Sequence, residues 1–111
     1  MHTTREGDHF QILAECSEGY IGVCRCCWEF NYSYKNIFLT FQETEMCEFF
    51  NWLIEARKNK YMMIPLPHGE RHVYQSPMYN MFLVYTEQEL NEIEGLYMEV
   101  KVMLETLKIL N

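Results

Sequence analysis

Asn36-Ile37-Phe38-Leu39-Thr40-Phe41-Gln42-Glu43-Thr44-Glu45-Met46 is echoed 44 residues later by Asn80-Met81-Phe82-Leu83-Val84-Tyr85-Thr86-Glu87-Gln88-Glu89-Leu90. The Asn, Phe, Leu and two Glu are identical, most other positions are chemically similar, and Glu48 and Glu92 extend the match. Each copy opens on a short apolar stretch, Ile37 to Phe41 or Met81 to Tyr85, whose β-branched and aromatic content suits a strand. An acidic run then leads into apolar residues at helical spacing. Thr86 and Glu89 have the Thr-x-x-Glu spacing of a capping box. Gln42 holds the equivalent position in the first copy and is a poorer cap. Glu43, Glu45, Glu87 and Glu89 fall in a first helical turn, where the unpaired N–H groups favour negative charge.

The first helix is therefore predicted over Glu43 to Lys58, with Met46, Phe49, Phe50, Leu53 and Ile54 as its buried stripe. Arg57, Lys58 and Lys60 end it with positive charge. The second is predicted from Glu87 nearly to the C-terminus, with Leu90, Ile93, Tyr97, Val100, Leu104 and Leu107 facing inward. Trp28 to Ser33 alternates apolar and polar residues, the pattern of a half-buried strand. Tyr34-Lys35-Asn36 reads as a turn in which Asn takes the left-handed conformation. His72 to Gln75, followed by Ser76 to Asn80, is the counterpart. Phe10 to Leu13, Tyr20 to Val23 and Tyr61 to Ile64 are further strand candidates, and Pro65, Pro67 and Gly69 mark a loop between the halves. The expectation is one α+β domain. An antiparallel sheet of about five strands carries two helices on one face, with pseudo-two-fold units near 28–58 and 72–110.

Nine Lys/Arg stand against sixteen Asp/Glu, a formal net charge of −7. Nucleic-acid binding depends on neutralising phosphates with cationic side chains, so this balance argues against it. The 49% apolar content within 111 residues supplies one core. Met1 to His9 lacks the apolar centre of a signal peptide, and no apolar run is long enough to span a bilayer. A cytoplasmic, reducing setting is expected. The odd count of five cysteines agrees, because a closed disulfide framework needs an even number.

Cys24-Arg25-Cys26-Cys27 lies between two strand-like stretches. Cys24 and Cys27 form a Cys-x-x-Cys pair, a spacing that lets two thiolates at a hairpin tip face one tetrahedral zinc ion. A complete site needs two more ligands. Cys16 and His9 are nearest in sequence, and Cys47, His68 and His72 are further off. There is no second Cys-x-x-Cys. The competing reading is that the cysteines are small, reduced, buried side chains. A redox role fits less well, because reactive Cys-x-x-Cys thiolates favour a helix N-terminus and a strand pattern follows here.

Pro67-His68-Gly69-Glu70-Arg71-His72 concentrates polar chemistry. His68 and His72 are four apart, but Pro67 and Gly69 disfavour the helix that would align them, and the Glu of a zincin motif is missing after His68. An exposed turn is the plainer reading. A ligand-contacting loop using His68, Arg71 and His72 is the functional one. The tyrosine-rich set has no basic groove to pair with for base stacking, so it reads as core or protein interface. No phosphate-binding glycine loop and no nucleophile–base pair is legible, which points away from catalysis.

Gly19-Tyr20-Ile21, the Cys24/Cys27 pair, the alternation from Trp28 to Tyr32, and Asn36-Ile37-x-Leu39 before an acidic helix start resemble a family of short uncharacterised bacterial proteins, a domain of unknown function. The resemblance runs from about Cys16 to Lys58 and implies no activity. It singles out only the Cys pair. Cys26 and the Trp28 position depart from its pattern.

These readings favour a non-enzymatic interaction module that self-associates. The alternative is a small zinc-binding or thiol-active protein using the Cys16–Cys27 region. A second helix of Glu87 to Ile109 spans roughly 35 Å at about 1.5 Å per residue. A five-residue strand covers only about 17 Å. Val100, Val102, Met103, Leu104, Leu107, Ile109 and Leu110 would then outrun one small sheet, so a homodimer through this helix is expected. The competing explanation is that Phe10 to Leu13 covers that end of the helix within one chain.

Overall fold

The computed structural model describes residues 9–59 and 63–110; Tyr61 and Met62 of the fifth strand candidate, and Lys60 of the first helix's basic end, lie outside them. The chain runs β1 (Phe10–Cys16), β2 (Gly19–Cys24), β3 (Glu29–Tyr34), β4 (Ile37–Phe41), α1 (Glu43–Ala56), β5 (Met63–Leu66), β6 (Gly69–Gln75), β7 (Phe82–Tyr85) and α2 (Glu87–Leu110). Every predicted strand stretch contributes a strand, and both helices start where their acidic turns placed them.

The expected single sheet is instead two antiparallel sheets, β1-β2-β3-β4 and β5-β6-β7. Each is a meander of hairpins whose partners are neighbours in sequence. α1 intervenes after β4, and β5 pairs with β6 rather than with the first sheet. Each half does follow a hairpin with a helix: β3–β4 precedes α1, and β6–β7 precedes α2.

Alternation sets the layers. Phe30, Tyr32 and Tyr34 of β3 and Ile21 and Val23 of β2 are buried, and so are Met46, Phe50 and Leu53 of α1. Burial of rings this large contributes about 2 kcal/mol each before entropy is counted. Phe50 stacks on Tyr97 of α2 at 5.0 Å and meets Tyr32 edge-on at 5.0 Å, so the two helices and the larger sheet share one core. The smaller sheet joins through Tyr74 and Tyr85. Tyr74 donates its hydroxyl to the Leu53 carbonyl (3.2 Å), and Tyr85 meets Tyr34 at 6.4 Å.

Both helix starts are capped as the residues demand. Thr86 N donates to Glu89 Oε1 (2.8 Å) and Glu89 N to Thr86 Oγ1 (3.0 Å), the full reciprocal box. At α1, Gln42 N donates to Glu45 Oε1 (2.7 Å). In the β3–β4 turn the left-handed residue is Lys35 (φ 53°), not Asn36.

α2 lies along β1 and β2. Val100, Leu104 and Leu107 are buried within the one chain. The apolar side chains that α2 leaves exposed include Met98, Val102 and Ile109. Among the described residues, no helix is long and apolar enough to cross a membrane.

Candidate metal site in the β2–β3 turn

β2 and β3 are joined by the four residues Arg25, Cys26, Cys27 and Trp28. Trp28 N donates to the Cys24 carbonyl (2.7 Å), closing the turn. Closure requires Trp28 to adopt φ 59°, a left-handed conformation costing a bulky residue about 1–2 kcal/mol. Its side chain holds it there. The indole Nε1 donates to Glu43 Oε1 (2.9 Å), and the ring packs edge-on against Phe30 at 5.4 Å. Glu43 is also bridged by Lys108 Nζ at 2.6 Å, so the turn is fixed to both helices.

The turn folds Cys24, Cys26 and Cys27 onto one another. Their sulfurs all lie within 4.8 Å of each other, and Cys24 Sγ is 3.5 Å from Cys26 Sγ. Tetrahedral zinc with thiolates at about 2.3 Å spaces its sulfurs roughly 3.8 Å apart, so the cluster fits such an ion with small adjustments. Cys24 is buried, while Cys26 and Cys27 are exposed, and none of the three is in a disulfide. Burial pushes the Cys24 thiol up, but hydrogen bonds from Cys27 and Cys26 outweigh it and bring it below its ordinary value. The same contacts hold the Cys26 and Cys27 thiols above theirs.

The structure brings together Cys24 and Cys27 of the expected ligand set and adds Cys26, which the Cys-x-x-Cys spacing had passed over. Cys16 is not brought there. It pairs with Gly19 at the opposite end of the β1–β2 hairpin, whereas Phe10 pairs with Cys24. Six residues of strand separate the two ends, about 20 Å. His9 is at the correct end: its carbonyl accepts the Arg25 N–H beside the cluster, with its side chain exposed. Cys47 lies on α1, half-buried. Cys27 and Trp28 also border an open pocket of about 460 Å³ with Gln42 and Glu45 at the start of α1.

The second candidate loop does not converge. Pro67 and His68 form the two-residue tip of the β5–β6 hairpin, where Leu66 pairs with Gly69. Gly69 takes φ 121°, which favours glycine, and a Cβ there would stand 2.9 Å from an Arg71 guanidinium nitrogen. Arg71 turns back, donating to the Glu70 (2.9 Å) and His68 (3.3 Å) carbonyls. His72 is on the other face, buried, with Nε2 against Glu87 Oε2. Glu87 and Glu94 in turn hold Arg57, at 2.7 and 3.0 Å. His72 thus belongs to an ion network tying β6, α1 and α2 together.

The fold and the turn define a small α+β domain with a thiol-rich hairpin tip. A family of unknown function, DUF6686, matches residues 7–111, and the chain belongs to it. The match extends well beyond the Cys16–Lys58 stretch on which the resemblance was drawn. No curated protein and no solved structure matches the chain.

Proposed function

We propose that this protein is a small zinc-binding interaction module, with the ion held by the Cys24, Cys26 and Cys27 thiolates. The observation that carries this reading is the convergence of three cysteine sulfurs within 4.8 Å, none of them in a disulfide. Three soft thiolates suit zinc better than a hard oxygen-seeking cation. His9 is the candidate for the fourth position, because its backbone is already bonded to Arg25 inside the turn. Bound there, zinc would join the start of β1 to the β2–β3 turn, a structural role. The pseudo-two-fold relation of the two hairpin–helix halves belongs to the same reading, each half supplying one helix to the shared core.

Protein purified without added metal should contain about one zinc per chain, and Cys24→Ser or Cys26→Ser should abolish it. Cobalt(II) should replace the zinc and give a thiolate charge-transfer band. Cys16→Ser should leave both unchanged, and His9→Ala should weaken binding without abolishing it. Metal-free protein of undiminished thermal stability, with no cobalt band, would overturn the reading.

A further inference from the structure

The exposed apolar side chains concentrate on the smaller sheet. Its register puts Ile64, Val73, Val84 and Phe82 on one face with Arg71 and Gln75, opposite buried His72, Tyr74 and Tyr85. Ile64, Phe82 and Val84 are 40%, 50% and 42% exposed. Leu66 continues this strip, and Met78 and Met81 extend it into the β6–β7 turn, both exposed.

The sheet edges differ in how they are guarded. An open edge strand is a template for another strand unless a charge, a proline or a bulge blunts it. β1 carries a bulge between Ile12 and Ala14. β5 contains Pro65, which removes a backbone donor. β4 has no charge, proline or bulge either, but its outward residues mix the exposed Phe38, opposite Ser33 of β3, with the polar Thr40. β7, Phe82-Leu83-Val84-Tyr85, has no charge, no proline and no bulge. It bonds to β6 on one side and ends its sheet on the other. Among the described edge strands, β7 is the one without charge, proline or bulge whose outward residues, Phe82 and Val84, are both apolar.

We propose that β7 pairs antiparallel with β7 of a second copy of this chain. Charge selects this occupant. The chain carries a net −7, which opposes self-association at most surfaces, yet Val73 to Thr86 contains no charged residue. A two-fold axis normal to the sheet keeps each apolar face on the same side, so an outward residue must meet an outward residue. Centred on Leu83, the pairing sets Phe82 against Val84 of the second copy, an aromatic and β-branched pair of the favourable kind. The two Glu87 side chains then sit eight strand positions apart, about 27 Å. That exceeds the screening length of about 8 Å at physiological salt. The joined sheet would have six strands, ordered β5-β6-β7-β7-β6-β5. Both of its new edges are β5 with Pro65, so growth stops at two copies.

The test is light scattering at tens of micromolar with hydrogen exchange on the same samples. The unaltered chain should have twice its 13.5 kDa mass, with β7 amides protected in a concentration-dependent way. Val84→Lys, at an exposed position outside the core, should raise the dissociation constant roughly tenfold or more, about 1.4 kcal/mol, at unchanged circular dichroism. Thr40→Lys on β4 should leave the mass unchanged. A monomer at all concentrations overturns the proposal. So does a dimer that survives Val84→Lys, and one lost instead on Met98→Glu with Val102→Glu would assign the interface to α2.

Discussion

Trp28 shows how one residue can be held against its backbone preference. The left-handed conformation at φ 59° is offset by its ring contact with Phe30 and its bond to Glu43. Trp28→Gly removes about 1–2 kcal/mol of backbone strain but also a half-buried indole worth more. A net loss of about 1–2 kcal/mol is expected in urea unfolding; a gain would show that the side chain contributes little. Tyrosine hydroxyls give a sharper contrast. Burial, and then the Glu92 carboxylate that accepts its proton at 2.6 Å, hold the Tyr34 phenol well above its ordinary value. The hydroxyls of Tyr32 and Tyr85 are buried beside each other, and neither makes a well-formed hydrogen bond. Tyr34→Phe should cost about 1 kcal/mol, whereas Tyr85→Phe should be neutral or slightly stabilising. At this scale the sequence located the thiols but not their grouping. Cys-x-x-Cys spacing singled out Cys24 and Cys27, yet only the closed turn brings Cys26 in. Nearness in sequence suggested Cys16, but an extended strand carries it away from Cys24 as fast as a chain can run.

α2 is the element whose sequence and structure agree most closely. Its capping box, its acidic first turn and its inward stripe were all legible because they depend on spacings of three and four residues. Gly95 is the exception to its local logic: it is a poor helix former at an exposed position, and a Cβ built on it meets nothing within 4 Å. Gly95→Ala should therefore stabilise the protein by about 1 kcal/mol, read as a higher urea midpoint with unchanged slope. No change would mean that α2 is not limited by its helix propensity. The number of sheets was not legible. Alternation along Ile37 to Phe41 or Phe82 to Tyr85 says which side chains face inward, but not which strand lies alongside. Part of the apolar excess at the end of α2 is covered within the chain, where Val100, Leu104 and Leu107 are buried and β1 runs for seven residues rather than four, Phe10–Cys16.

Across the whole molecule, ion pairs clamp both ends of α2. Glu43 binds Lys108 near its end, Glu89 binds Lys35, and Glu87 joins Arg57 and His72 near its start. The Lys108 and Trp28 hydrogen bonds hold the Glu43 carboxyl below its usual range, and those of Arg57 and then His72 do the same for Glu87. Burial raises Glu89, but Lys35 and the Thr86 cap outweigh it and leave it lowered too. A carboxyl depressed in the folded state stabilises fully above its unfolded value, about 4.3, and loses that contribution as pH falls through the folded value. Thermal stability should stay level from neutral pH to about 5 and fall below about 4. Glu43→Gln should flatten the acid limb, and an unchanged limb would show that these pairs are not its cause. The seating of α2 on β1 also bears on how the protein is made. The first described strand and the last described helix cover each other, with four hairpins and a helix synthesised between them. On the ribosome the face of β1 and β2 that α2 covers stays wet until α2 leaves the exit tunnel. Folding must then be completed in a late step, once α2 has emerged, and a nascent chain stalled before α2 is a client for chaperones.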